Sequence, residues 1–381
     1  MIQDLSVTRG RIDEVDRQIV KLFEQRMELA LDVARYKEAN GKPVYDRQRE
    51  EEKLETLSSL AGSEENAMGI RELFSQIMAI SRRHQYSVLG EKSGSFDSLL
   101  EEVDRLQFTD STVAVYAGVP GAFAEEALSA YFGDVVQTKA AKDFAEAAGL
   151  VADGEADFAV LPLENSSAGF VNGIYDLLAG HGLTIVGEQK IRVDQCLLGL
   201  PGTQLDKVRT VYSHPQGLLQ AKEYLEDKGW RQVGMSNTAL AARKVHEDGD
   251  LTQTAVASAR AARLYGLEIL NPRLNQSSHN ATRFVIVTGR HIYERAANRI
   301  SISFSVPHAC GTLYNVLSHF IYNGINLTSI ESVPLSGKQW EYSFFVELEG
   351  NPGDSGVRNA MKGIMAETED FRILGCFVSK Q

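Results

Sequence analysis

Cysteine is nearly absent: three in 381 residues, at Cys196, Cys310 and Cys376, far apart and odd in number. No disulfide framework and no zinc spacing can be built from that set, so a reducing, cytoplasmic setting is expected. Long hydrophobic runs are missing too. No stretch approaches the ~20 apolar residues of a bilayer crossing, and Met1 leads straight into a charged helical pattern without a signal segment. The eight histidines are scattered, with no HExxH or related spacing, so neither a metal nor a cofactor is expected. Positive charge is in deficit, at a formal net charge of -12. That argues against nucleic acid, whose binding rests on basic surfaces. It leaves room for a small anion, because a few well-placed arginines reverse the field locally.

What is present is ordinary for a water-facing chain: 43% hydrophobic and 24% charged residues. The length calls for two or three domains rather than one core. Three textures follow one another. Residues 1–90 have helical periodicity and almost no strand signal. "GEKSGSFDS" (Gly90–Ser98) reads as a linker, placed at 91–110. Over 111–292 short apolar runs alternate with helical stretches, the α/β signature. Over 299–381 the order is strand, helix, strand, strand, helix, strand, which suits a βαββαβ ferredoxin-like sandwich.

The first helix is expected from Thr8 to about Asn40, ended by Gly41 and Pro43. At roughly 50 Å it is too long to lie against a small monomer, so a partner chain is implied. Its apolar seam is Ile12, Val15, Ile19, Leu22, Leu29, Val33 and Tyr36. Arg26 interrupts that seam. A buried guanidinium needs an acid or an anionic ligand, unless it snorkels outward. Lys37, three turns on, points within about 20° of Arg26, so the two resemble a ligand wall. Arg9 points roughly 100° away and suits a partner's site better than its own. A third helix over Gly69–Val88 puts Ser81 and Gln85 on its apolar face, and "YDRQRE" carries Asp46, Arg49 and Glu50.

Taken in order, Arg9, Arg26, Lys37, Asp46, Arg49, Glu50, Ser81 and Gln85 resemble the all-helical chorismate mutases. The resemblance implies an intertwined dimer whose site borrows Arg9 from the other chain. It also implies a concerted rearrangement of chorismate to prephenate, in which the site only binds, orients and stabilises charge. Arg9, Arg26 and Arg49 would hold carboxylates. Lys37 and Gln85 would donate to the breaking ether oxygen. Glu50, Asp46 and Ser81 would face the ring hydroxyl.

In the α/β region three strands empty into polar loops. "FAVLPLENSSAGF" ends in Glu164, Asn165, Ser166 and Ser167; "VYSHPQG" ends in Ser213, His214 and Gln216 before a helix; "VYAGVPGAF" is a glycine-bearing turn. Ligands of open α/β sheets gather at such strand ends, although a capped polar loop explains each one alone. "NATRFVIV" runs the other way, from a polar entry at Asn280-Ala281-Thr282, which also fits a glycosylation sequon, into a core strand. Together with "AVASARAARLYGLEIL", these stretches resemble the prephenate dehydratases. The resemblance implies two α/β lobes with a cleft between them, as in periplasmic binding proteins. It implies a site of Glu164, Asn165, Ser166, Ser213, His214, Gln216, Thr282, Arg283 and Phe284. Thr282 is its candidate donor to the departing hydroxyl of prephenate, and Glu164 a possible proton source. Arg283 is either a cation for a substrate carboxylate or a structural ion-pair partner. Ala124 stands where many relatives carry a hydroxyl residue.

The C-terminal segment resembles an ACT domain, a module that often binds amino acids at a subunit interface. In phenylalanine-regulated relatives its motifs are Gly-Ala-Leu-Val and Glu-Ser-Arg-Pro. Here they read Gly311-Thr312-Leu313-Tyr314 and Glu331-Ser332-Val333-Pro334. The three resemblances imply a mutase fused to a dehydratase that consumes its product, with phenylalanine as effector, in a homodimer or a tetramer. Two rivals stand beside this: a dehydratase that prefers arogenate, and a non-catalytic ligand sensor.

Overall fold

The computed structural model describes residues 5–88, 99–274, 280–334 and 342–380. The expected linker Gly90–Ser98, and Ser277–His279 ahead of "NATRF", lie outside them. The chain divides into two compact units. One joins Met1–Leu99 to Ile302–Arg372; the other holds Leu100–Ser301 with Ile373–Gln381. The helical segment and most of the C-terminal segment thus fall within one unit.

The helix α1 (Leu5–Ala39) runs for 35 residues without a proline, starting three residues before the expected Thr8. Only Ala34 on it is buried. The apolar seam stays on the surface, with Ile19 52% and Leu22 63% exposed. The helix α2 (Arg47–Ser58) begins where Asp46 accepts a hydrogen bond from the Arg49 amide at 3.1 Å, an N-cap that satisfies one orphan donor. The helix α3 (Glu64–Val88) begins a full turn before the expected Gly69. Ser63 caps it through the Asn66 amide, and Glu64 and Glu65 favour the positive end of the helix dipole. Its buried face carries Met78, Ser81, Arg82 and Gln85. No helix among the described residues is long and apolar enough to cross a membrane.

In the second unit the chain makes β1 (Glu101–Val103), β2 (Val113–Ala117), α4 (Phe123–Phe132), β3 (Gln137–Ala141) and α5 (Phe144–Ala152). Then come β4 (Phe158–Asn165), β5 (Gly169–Phe170), α6 (Ile174–His181) and β6 (Thr184–Arg192). A second lobe follows: β7 (Cys196–Gly199), β8 (Thr210–Ser213), α7 (Pro215–Gln220), α8 (Lys222–Glu226), β9 (Arg231–Gly234), α9 (Thr238–Asp248), β10 (Gln253–Ala257), α10 (Ala259–Leu264) and β11 (Glu268–Asn271). The chain then returns to the first lobe as β12 (Ala281–Thr288) and β13 (Ile292–Glu294).

The first-lobe sheet runs β6-β12-β4-β2-β3, and the second-lobe sheet β11-β7-β10-β8-β9. β12, a near-continuous apolar run, is buried from Phe284 to Thr288 between β4 and β6. Part of the expected linker is ordered, since β1 pairs in parallel with β13.

The two lobes meet at the turn after β2. Gly121 there has φ +90, and a Cβ on it would lie 3.2 Å from the Ala261 Cα, so only glycine admits this approach. Ser258 Oγ donates to the Gly121 carbonyl at 3.2 Å and Tyr265 OH to that of Pro120 at 2.7 Å. Arg260 Nε lies 3.2 Å from Glu125 Oε2.

The C-terminal elements are β14 (Arg299–Ser305), α11 (Thr312–Tyr322), β15 (Leu327–Pro334), β16 (Tyr342–Glu349), α12 (Ser355–Glu367) and β17 (Glu369–Phe377). Their sheet order is β15-β16-β14-β17. α11 packs on α12 at Gly363, where a Cβ would sit 2.3 Å from the His319 ring. α12 in turn packs on α3 within the same unit.

Candidate active sites

A cavity of about 300 Å³ opens among α1, α2 and α3. Arg26 and Lys37 enter it from α1, Arg49, Glu50 and Lys53 from α2, and Ser81, Arg82 and Gln85 from α3. Leu29, Ala30, Val33 and Met78 form its apolar wall. Arg9 is exposed on the first turns of α1 and is not part of this lining. Asp46 is not part of it either. One oxygen of its carboxylate caps α2, and its charge acts on Lys37 in the cavity.

The cavity is electrostatically tense. Burial lowers the Arg26 pKa against the pull of Glu50, and its Nη1 is buried without a hydrogen-bond partner among the described residues. Burial, then Arg49, holds the Lys37 ammonium below the ordinary lysine range despite Asp46 and Glu50. Lys37 Nζ donates to the Val44 carbonyl at 2.5 Å. Gln85 Nε2 donates to Ser81 Oγ at 3.1 Å, while Gln85 Oε1 is buried without a hydrogen-bond partner. Such unpaired groups are costly, and a polar ligand satisfies them.

Sequence reading missed Arg82 and Lys53. The signal for Arg82 was present: Met78, Ser81, Arg82 and Gln85 recur at i, i+3, i+4 and i+7, one helical face. Arg82 forms an ion pair with Glu50 and places Nε 2.6 Å from Glu367 Oε1 and Nη2 3.2 Å from Oε2. Its guanidinium lies over the Tyr45 ring, 4.8 Å from the centroid. Burial would lower its pKa, but Glu367 and Glu50 outweigh burial and raise it.

In the α/β unit the register of β4 and β12 sets Thr282 beside Asn165, and Arg283 beside Glu164. Asn165 Nδ2 lies 2.9 Å from Thr282 Oγ1 and 3.0 Å from Asn280 Oδ1. Its Oδ1 accepts from the amides of Ser167 and Ala168, each at 3.0 Å. Ser167 Oγ lies 2.8 Å from Asn280 Oδ1. Asn165 thus reaches the Thr282 hydroxyl and is itself held by Asn280 and Ser167. Asn280 and Ser167, named in the sequence motifs but not among the expected site residues, belong to this cluster. Ser166 is used differently: its Oγ accepts from the Ala281 amide at 3.0 Å.

Several expected contacts are spoken for elsewhere. Arg283 lies 3.2 Å from Glu164 Oε2 and 3.3 Å from Glu188 Oε2, which is the geometry of the ion-pair alternative. Ser213 is fully buried and donates to the Val256 carbonyl at 2.6 Å, which secures β8 to β10. Phe284 is 3% exposed in the first-lobe core and is not a cleft residue. His214 caps α7 through the Gln216 amide at 3.1 Å, and burial lowers its pKa.

Near the C-terminus, Gly311 adopts φ +81 just before α11, and Thr312 Oγ1 lies 2.9 Å from the Pro307 carbonyl. Leu313 continues that helix. Glu331 is half-buried and Ser332 exposed on β15.

Two family models match in chain order: chorismate mutase type II over residues 8–86 and prephenate dehydratase over 114–291. The class is therefore a bifunctional enzyme, an isomerase module joined to a carbon–oxygen lyase module. Similarity extends over the whole length to the bifunctional chorismate mutase/prephenate dehydratase of Escherichia coli (strain K12), 29% identical over 99% of this chain and 96% of that one. The arogenate dehydratase/prephenate dehydratase 1 of Arabidopsis thaliana is 34% identical over 70% of this chain and 72% of its own. The solved structure of prephenate dehydratase in complex with L-Phe from Arthrobacter aurescens matches with TM-score 0.65 and 27% identity, over 70% of this chain and 90% of that one. The chain belongs to the bifunctional chorismate mutase/prephenate dehydratase family.

Proposed function

We propose that the three-helix cavity rearranges chorismate to prephenate, that the α/β unit converts prephenate to phenylpyruvate, and that phenylalanine is the effector. The observation that carries the first step is the gathering of Arg26, Lys37, Arg49, Glu50, Ser81 and Gln85 around one cavity. The reaction is concerted, so it needs no nucleophile, only preorganised charge. Arg26 and Arg49, with Arg9 from a partner chain, clamp the two carboxylates. Lys37 donates to the ether oxygen as its bond breaks. Turned over, the Gln85 amide accepts from the Ser81 hydroxyl and offers its N–H groups to the same oxygen.

In the α/β unit, Thr282 is the donor to the departing ring hydroxyl. The Asn165 amide donates to Thr282 Oγ1, which leaves the hydroxyl hydrogen available and stabilises charge on the oxygen. Loss of carbon dioxide and water then leaves an aromatic ring, which drives the step. Glu164 and Arg283 act as a positioning ion pair at the strand ends.

The domain reading is a mutase at 1–90, a linker at 91–110, a dehydratase at 111–292 and an ACT domain of ferredoxin-like build at 299–381. The βαββαβ element order supports the last of these. The exposed seam of α1 supports a homodimer, and a relative solved with L-Phe supports the effector. The setting is cytoplasmic.

The test supplies chorismate and follows prephenate and phenylpyruvate with time. Lys37→Ala slows the first step by about 10²–10³-fold and spares conversion of added prephenate. Thr282→Ala accumulates prephenate, with dehydration down about 10²–10⁴-fold. Parental dehydration in Thr282→Ala removes that residue from the mechanism, and a parent chain inert on chorismate removes the proposal. Arogenate as an added substrate separates the arogenate-preferring reading.

A further inference from the structure

The mutase cavity is tied to a residue far from the helical segment. Glu367 closes α12, near the other end of the chain, yet its carboxylate receives the fork of Arg82 at 2.6 and 3.2 Å. The third arm of that guanidinium pairs with Glu50, a cavity wall residue. Burial sets the strength of the relay: the Arg82 side chain is 6% exposed, Glu367 4% and Glu50 24%. Water therefore screens these charges little. The relay is braced at both ends. Tyr45 lies under the guanidinium, and His319 Nε2 sits 3.3 Å from Glu367 Oε1. His319 is in turn held against Gly363, where any larger residue would displace it.

We infer that Glu367 is a positioning residue of the mutase: it holds Arg82, and Arg82 fixes the Glu50 carboxylate in the cavity wall. The inference rests on the reading of this cavity as the mutase site. Each of the three nitrogens of Arg82 donates to one of two carboxylates. Remove one, and the guanidinium swings onto the other or onto a substrate carboxylate. Either movement takes Glu50 from its place and makes the field in the cavity more positive by one charge. That added positive charge strengthens ground-state binding of a dianion without serving the breaking bond, so turnover falls while KM does not rise.

The test uses the full chain with Glu367→Gln, which keeps shape and one acceptor but removes the charge, beside Glu367→Asp, which keeps the charge. Mutase kcat falls about tenfold or more in Glu367→Gln, in line with the cost of small misplacements, with KM level or lower. Glu367→Asp recovers part of that loss. Dehydration of added prephenate stays at the parental rate in both, which reports an intact fold. A Glu367→Gln kcat within twofold of the parent overturns the inference. So does a loss that merely tracks a lowered melting temperature, or a raised KM at parental kcat, since those mark a structural ion pair. A parent inert on chorismate sinks the cavity reading and this inference together, whereas an active parent with an unaffected variant sinks the inference alone.

Discussion

Lys37 shows how much of the chemistry is decided at one side chain. In the role proposed for it, its ammonium is useful only while protonated, because the breaking ether oxygen needs a donor. Burial, then Arg49, sets its pKa below the 10.5 of an ordinary lysine. For a cation with a lowered pKa, raising the pH removes the proton earlier than it would in water. Mutase kcat/KM is therefore expected to fall on an alkaline limb with its midpoint below 10.5. Lys37→Arg keeps its charge and flattens that limb, at lower absolute rate, because a planar fork does not replace a point donor. Rate profiles from pH 7 to 10.5 check this. An alkaline limb that persists unchanged in Lys37→Arg assigns the titration elsewhere.

At the scale of elements, α1 is the outlier. It extends about 52 Å, from 35 residues at 1.5 Å each, and buries only one of them. Seven apolar seam positions are exposed along it, which is what the proposed homodimer would cover. Each leucine covered by a second copy contributes about 1.5–3 kcal/mol, and a two-fold interface counts every position twice. Leu22→Asp is expected to weaken the dimer by more than about 100-fold. If Arg9 of a partner completes the site, as proposed above, mutase activity is expected to fall on the same concentration axis while dehydration persists. Sedimentation velocity across a dilution series measures this, and a variant that stays dimeric at parental concentrations refutes the role of the seam.

For the whole molecule the question is how the C-terminal segment speaks to the rest. The resemblance to phenylalanine-regulated ACT domains implies an arginine at the position of Val333, where a guanidinium would offer a charge-assisted contact. Phenylalanine is expected to lower dehydration in the parent. Val333→Arg is expected to move half-inhibition to about tenfold lower phenylalanine, the weight of one such hydrogen bond. Dehydration assayed against a phenylalanine series decides it: a flat response in both proteins removes phenylalanine as effector.

The sequence by itself determined what depends on neighbours a few residues apart. The helical period set α1 and the shared face of Ser81 and Gln85. The βαββαβ order was legible because apolar runs and helical stretches alternate visibly, and ordered motifs identified both catalytic families. The start of α3 was misread by a turn, because a serine cap and two glutamates were outweighed by a glycine. Tertiary structure alone decided where polar atoms find partners. Ser213 looked like a ligand contact until β10 presented a carbonyl to it, and Phe284 until the first-lobe core enclosed it. Arg283 read equally as a substrate cation or an ion-pair partner, and the fold sets it beside Glu188 on β6. Arg82 and Glu367 stand 285 positions apart, and no local period connects them. Propensity acts along the chain, but burial and charge pairing act through space, so only the folded chain settles which carboxylate a buried arginine meets.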